Sequence, residues 1–172
     1  MNPTKLSRYY RNEADDPDLT RRRWAVGLSL LGALAGQTVS LYQTGILGHL
    51  PDPPRKLHRG VLDSDKVDAS DYAYKRFDTP DGLMMVMTYA QTALLAGGGG
   101  PDRANRRPWL SLLAFGKAVW DVGLTAKLAR EEYKDNKALC AYCQAATLAS
   151  VGTLVALAPE AYRAGRKMLK GA

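Results

Sequence analysis

Charge is distributed along this chain in blocks instead of at helical or strand intervals. Residues 24–48, 82–100 and 138–159 contain no Lys, Arg, Asp, Glu or His. A helix on the surface of a soluble domain carries polar residues on its wet face every few positions, and these windows do not. Each is close to the roughly 20 apolar residues that a helix needs to cross a bilayer core. A fourth window, 108–129, is apolar apart from Lys117, Asp121 and Lys127. Lys117 and Asp121 are four apart, so they share a helical face and offset part of each other's desolvation. The pattern predicts an all-α fold, an integral membrane four-helix bundle, in preference to a soluble bundle with an apolar centre.

Between the windows, helix breakers and caps set the expected boundaries. The first window leads into Pro51, Pro53 and Pro54, which no helix interior accommodates. A long polar loop follows, in which Ser70-Asp71-Tyr72-Ala73-Tyr74 predicts a short interfacial helix capped by Ser70 or Asp71. Thr79-Pro80-Asp81-Gly82 turns the chain into the second long helix, and four glycines followed by Pro101 close it. Pro108 suits the first turn of the third. The fourth begins near Cys140 and extends past Pro159 as an amphipathic tail. The expected organisation is a polar tail over 1–23, with a short turn at Pro17-Asp18-Leu19-Thr20, a transmembrane domain over 24–166 and a second tail over 167–172. The first window is too long for a cleaved signal peptide and lacks its small-residue cleavage site, so it reads as a retained span.

The chain has 172 residues and a net charge of +7. Its excess of positive charge lies before the first window, in the turn around Arg103, Arg106 and Arg107, and in the C-terminal tail, whereas the long loop is slightly negative. Arg21-Arg22-Arg23 reads as an inside anchor. The positive-inside bias puts both termini in the cytoplasm and the loop, with the Cys140 end of the last helix, on the outer face. An anionic membrane leaflet accounts for the basic excess, so nucleic acid is not an expected partner. The expected location is a bacterial inner membrane, whose outer side lets disulfides persist.

The candidate chemistry is a thiol pair. Cys140 and Cys143 are the only cysteines, and at three apart on a helix they lie on one side. Backbone donors at a helix N-terminus favour thiolate, and thiolate permits disulfide exchange. Cys143 faces the membrane side and Cys140 lies nearer water. Two other readings are a pair of small buried hydrophobes and a Cys2His2 metal set completed by His49 and His58, whose spacing matches no standard site. Tyr142 lies between the cysteines, and Thr88, Tyr89 and Gln91 lie on the second long helix, where they can line a pocket. Met84, Met85 and Met87 suit either packing or a mobile ligand, and Lys117 with Asp121 either a structural ion pair or a functional one.

Three features together resemble the vitamin K epoxide reductase family, including its bacterial quinone-coupled disulfide-forming members. They are Cys140-Ala141-Tyr142-Cys143 opening the last of four helices, the loop stretch Ser64-Asp65-Lys66-Val67-Asp68-Ala69-Ser70-Asp71-Tyr72-Ala73, and Thr79-Pro80-Asp81-Gly82. The resemblance covers the chain from Trp24 to about Arg166. It implies a four-helix bundle around a quinone of the ubiquinone or menaquinone type, capped by the loop. Cys140 and Cys143 are then the catalytic pair, with Cys143 nearest the quinone and Tyr142, Ser70, Asp81 and Tyr89 as quinone-binding candidates. It also implies a thioredoxin-like thiol partner that acts through a pair of loop cysteines.

This chain departs from that pattern in the loop. Ser64 stands where the second loop cysteine is expected, and the first has no counterpart. Thr147 replaces a tyrosine one turn past Cys143. Serine has no thiol chemistry, so either Cys140 meets a partner's thiol directly or the pocket has been kept for another use. The expected function is a membrane thiol–disulfide oxidoreductase passing electrons through Cys140 and Cys143 to a quinone. The alternative is a non-catalytic structural or accessory subunit of a larger membrane complex.

Overall fold

A computed structural model of the chain describes residues 3–11, 16–54, 56 and 60–171. Among these residues every regular element is helical, apart from one isolated parallel bridge between Leu62 and Leu139. The elements are α1 (Pro3–Tyr10), α2 (Pro17–Gln43), α3 (Ser64–Asp68), a 3₁₀ turn (Asp71–Tyr74), α4 (Asp81–Gly97), α5 (Arg103–Arg106), α6 (Pro108–Asn136) and α7 (Ala141–Gly171). The four long helices pack together, α2 mainly on α4 and α7, and α6 mainly on α7.

The helices overrun the uncharged windows because capping, not hydropathy, sets their ends. Asp16 accepts the Asp18 N–H at 2.9 Å and Pro17 occupies the first turn, so α2 starts seven positions before Trp24. The turn expected at Pro17–Thr20 is the first turn of that helix. At its other end α2 stops at Gln43, and Gly45 takes a left-handed φ of 78°. Helix α6 starts at Pro108 as expected, then runs on through the charged stretch to Asn136, where left-handed Lys137 ends it. Helix α7 continues through Pro159 to Gly171.

Two of these helices, over Asp18–Gln43 and Ala141–Lys170, are long and apolar enough to cross a membrane. Helix α4 has only 17 residues, and α6 carries charge within its apolar stretch. Leu31, Leu34, Leu94, Trp120, Leu148 and Val155 are each more than half exposed, spread over all four long helices. The interior between the helices is instead built largely of Ala25, Ala96, Ala114 and Ala118 around Leu157. Small residues inside and large apolar ones outside invert the arrangement of a soluble bundle. A Cβ on Gly82 would lie 2.5 Å from Ser40 N, and one on Gly36 would lie 2.6 Å from Met85 Cβ. These glycines let α2 and α4 approach backbone to backbone.

Two arginines close the end of the bundle opposite the cysteines. Arg22 is buried and donates to Ala96 O, Gly97 O, Gly98 O and Gly100 O at 2.6–2.9 Å. It thereby satisfies the orphan carbonyls at the negative end of α4. Arg103 donates to both oxygens of Glu160 at 2.7 and 2.8 Å, and Ser111 Oγ donates to the same carboxylate at 3.0 Å. Within the triplet expected to be an inside anchor, Arg22 is a buried clamp on the end of α4.

Candidate functional site

The backbone around the thiol pair is built by a short exchange between two segments distant in sequence. After Lys137 the chain extends, Leu139 N–H donates to Val61 O at 2.9 Å, and Asp63 N–H donates to Leu139 O at 3.0 Å. This pairing brings the long loop against the start of α7. Cys140 then caps that helix with its sulfur, which accepts the Cys143 N–H at 3.3 Å. Both thiols are free, Cys140 fully buried and Cys143 partly so. Val39, Val67 and Ala138 pack around them.

The loop is fastened over this mouth. Asp52 accepts from Ser64 N at 2.8 Å and from Ser64 Oγ at 2.5 Å, and Ser64 Oγ in turn accepts the Ala141 N–H at 2.9 Å. The serine therefore sits at the start of α7, bonded to the residue after Cys140, at the position where the resemblance puts the second loop cysteine. Tyr142 Oη donates to Pro51 O at 3.0 Å, and Asp65 Oδ1 accepts the Leu50 N–H at 2.8 Å.

On the other side of the pair a cavity of about 300 Å³ opens between the loop, α4, α6 and α7. Its walls are mainly apolar, with Met84, Met85, Leu124 and Leu128 among them, and Cys143 is on its surface. Tyr89 forms part of one wall, held by donation to Ala146 O at 2.6 Å and by a bond to Ser150 Oγ at 2.7 Å. Asp81 also lines it and is paired with Arg76 at 2.5 Å, while the Arg76 guanidinium lies 4.6 Å from the Tyr72 ring centre.

Of the residues expected to form the site, Cys143, Asp81 and Tyr89 share this cavity, and Cys140 lies directly behind it. Tyr142 and Ser70 are elsewhere. Tyr142 projects to the loop, as a residue one position before Cys143 on a helix must face a different side. Ser70 Oγ donates to Val67 O at 2.6 Å and opens onto a separate surface hollow near Lys75 and Asn136. The short helix expected at Ser70–Tyr74 is the 3₁₀ turn Asp71–Tyr74, which Ser70 precedes without a side-chain cap; α3 is a further helix just before it, capped by Asp63, which accepts the Lys66 N–H. His49 pairs with Asp65 and does not join the cysteines, and His58 lies outside the described residues. Lys117 and Asp121 form a 2.5 Å ion pair whose remaining valences go to Thr88 and Thr92, so it joins α6 to α4.

Two acidic residues at the site were not singled out from sequence. Asp68 is buried, and a carboxylate oxygen of Asp68 lies with both cysteine sulfurs in a group whose members are within 4.8 Å of one another. Burial pushes its pKa up to about 6, opposed by the Cys140 thiol beside it and reinforced by Asp81, Asp52 and Asp65. Glu132 is also buried; Oε1 accepts the Cys140 N–H at 3.1 Å and Oε2 accepts from Gln144 Nε2 at 3.3 Å. It lies beyond the apolar 108–129 stretch, and burial pushes its pKa up to about 8, against the stabilising Cys140 N–H. The helical period offered a signal: Leu124, Leu128 and Glu132 are four apart and share a face.

The model of the Vitamin K epoxide reductase family matches residues 23–158. The chain belongs to the vitamin K epoxide reductase family. Members are membrane thiol oxidoreductases, linked in general to quinones. No curated protein and no solved structure matches the chain. The matched span holds the thiol pair, the loop and every cavity-lining residue. A flat, largely apolar ring with two carbonyl oxygens suits the cavity: volume at the lower end for small-molecule sites, apolar walls, and a few polar groups such as Gln144 and Thr147.

Proposed function

We propose that this chain is a thiol–quinone oxidoreductase in which Cys140 and Cys143 are oxidised to a disulfide and a quinone in the adjoining cavity is reduced. The observation that carries the reading is Cys143 on the surface of an apolar cavity, with a second free thiol capping the same helix turn behind it. Met84, Met85, Leu124 and Leu128 would hold the ring, with Tyr89 as a fixed wall; a bound quinone supplies a two-electron acceptor. Cys143 faces that acceptor, and Cys140 is the thiol on the side of the loop. A thioredoxin-like partner reaches Cys140 only when the loop lifts, because Ser64 provides no thiol of its own to relay electrons. All four long helices span a bacterial inner membrane, with residues 24–166 as the membrane domain and both termini cytoplasmic. The exposed apolar side chains of α2, α4, α6 and α7 support this placement.

A thiol-trapping redox titration of the purified protein, with and without quinone, tests the reading. Quinone should convert the free pair to a disulfide in the wild type, and neither Cys140→Ser nor Cys143→Ser should form it. A pair whose redox state ignores quinone would overturn the proposal.

A second reading is favoured by the complete burial of Cys140 beneath a loop fastened by Ser64 and Asp52. In it the chain is a non-catalytic accessory subunit, its thiols inert and its apolar faces covered by partner helices. A fully active isolated monomer would exclude that.

A further inference from the structure

Two thiols cannot become a disulfide without shedding two protons, and Cys140 has no access to solvent. The destination of those protons is fixed by the groups within reach. Asp68 approaches both sulfurs, as described, and its Oδ2 is buried without a hydrogen-bond partner of ordinary geometry. A buried acceptor left open beside two thiols is costly unless it is used. Glu132 is tied to the same turn of α7 through Cys140 N and Gln144 Nε2. Asp68, Glu132 and Cys143 all line the one cavity.

We propose that Asp68 and Glu132 are the acid–base pair of this site: Asp68 accepts the proton released as the disulfide forms, and Glu132 holds the proton that a quinone in the cavity takes up on reduction. The inference rests on the thiol–quinone reading. Oxidation breaks two S–H bonds and makes one S–S bond, and the two electrons pass to the quinone. The quinone also gains two protons, the first from Glu132. The two thiol protons, taken in turn by Asp68, refill Glu132 and supply the second. No other donor or oxidant is required.

The electrostatics separate the two roles. Near neutrality Asp68, at about 6, is largely ionised and ready to accept, whereas Glu132, at about 8, largely retains its proton. Asp52 and Asp65 from the loop and Asp81 from α4 face Asp68, and Asp68 and Asp81 face Glu132. Arg76 is the one cation lining the cavity among the described residues, and it is committed to Asp81 at 2.5 Å and Glu131 at 3.5 Å. It leaves the pair without a competing counter-ion.

The test uses the full chain in lipid nanodiscs. Ferricyanide removes electrons from the reduced thiols without taking protons, so disulfide formation can be followed with no quinone present. Asp68→Asn should slow that oxidation about 100-fold and abolish its decline below pH 6. The infrared spectrum of the reduced wild type at pH 7 should contain a carboxylic acid C=O band that fades above pH 8 and is missing in Glu132→Gln. With quinone as acceptor, Glu132→Gln should lower turnover about 100-fold and remove the alkaline limb of the pH profile. Unchanged ferricyanide kinetics in Asp68→Asn, or no such band in the wild type, overturns the proposal; the band needs no variant to fold. If ferricyanide oxidation depends on Asp68 but no form reduces quinone, the acceptor role of Asp68 stands and the quinone reading falls.

Discussion

Ser64 Oγ accepts the Ala141 N–H at 2.9 Å, joining residues 77 positions apart and closing the long loop over the helix turn that carries Cys140. The same hydroxyl donates to Asp52, so one serine both satisfies a free donor at the start of α7 and anchors the loop. Ser64→Ala leaves Ala141 N and an Asp52 oxygen without this partner in a half-buried setting, which costs about 0.5–1.5 kcal/mol. The expected outcome is a lower thermal midpoint and faster maleimide labelling of Cys140. Unchanged labelling would mean that another contact holds the loop shut.

The buried acids make stability fall as pH rises. Glu132 has a folded pKa of about 8 against an ordinary value near 4.5. The folded state therefore binds more protons than the unfolded state between those values, and stability declines with pH across that window. Asp68, at about 6, adds a smaller decline at its lower end. Below about pH 3.8 neither charge costs stability, and above about pH 8 the full cost of the buried Glu132 charge is present, on the order of a few kcal/mol. Thermal midpoints measured from pH 5 to pH 9 should fall, and Glu132→Gln should flatten most of the slope. A midpoint that rises with pH in this range would contradict the assignment.

What was legible in the sequence was the existence of the helices and the position of the thiol pair, because uncharged stretches and a C-x-x-C spacing are local signals. Asp81 and Tyr89, named with the resemblance, both line the cavity beside Cys143, one at the start of α4 and the other about two turns along it. The helix ends were less legible: Asp16 and Pro17 begin α2 inside a segment that hydropathy assigns to a polar tail. Asp68 and Glu132 escaped notice for a related reason. Each lies in a run of charges that normally faces water, and only the folding of the loop against α6 and α7 buries them. The role of Ser64 was anticipated as an absence, a missing thiol; its hydrogen bonds depend on long-range pairing that no local pattern encodes.

Arg22 tests whether the basic triplet before Trp24 is an electrostatic anchor or part of the fold. It satisfies four carbonyls around the end of α4 and also donates to Tyr10 Oη at 3.2 Å. Arg22→Ala should destabilise the protein by about 2–4 kcal/mol, since several buried acceptors lose a charged donor at once. Arg22→Lys should recover only part of this, because an ammonium cannot reproduce the planar fork. Detergent-solubilised unfolding curves read both. If Arg21→Ala costs as much as Arg22→Ala, the clamp interpretation fails.

Tyr89 stands where it does because Gly32 leaves room for its ring. A Cβ at position 32 would come within 2.5 Å of the Tyr89 ring carbons. Gly32→Val should therefore push the ring from its place and break its bonds to Ala146 O and Ser150 Oγ. Tyr89→Phe removes those bonds but keeps the wall. Comparing the two separates shape from hydrogen bonding: quinone affinity should drop more in Gly32→Val, whereas Tyr89→Phe should mainly lose about 1–2 kcal/mol of stability. Equal losses of affinity would put the hydroxyl itself in contact with the ligand.

The two cysteines occupy unequal positions, and single substitutions should expose the inequality. Cys143 meets the cavity, whereas Cys140 is enclosed and caps α7. Cys143→Ser removes the only thiol facing the acceptor, so quinone-dependent oxidation should fall to background. Cys140→Ser retains a hydroxyl that can cap the helix, and N-cap serine is favourable, so the fold should survive with little loss. Cys143 then remains at the cavity without the thiol that would complete a disulfide. Added quinone should change the visible absorbance of Cys140→Ser but not of Cys143→Ser. Identical spectra for the two variants would remove the distinction between a cavity-facing thiol and an enclosed one, and with it the order in which electrons leave the pair.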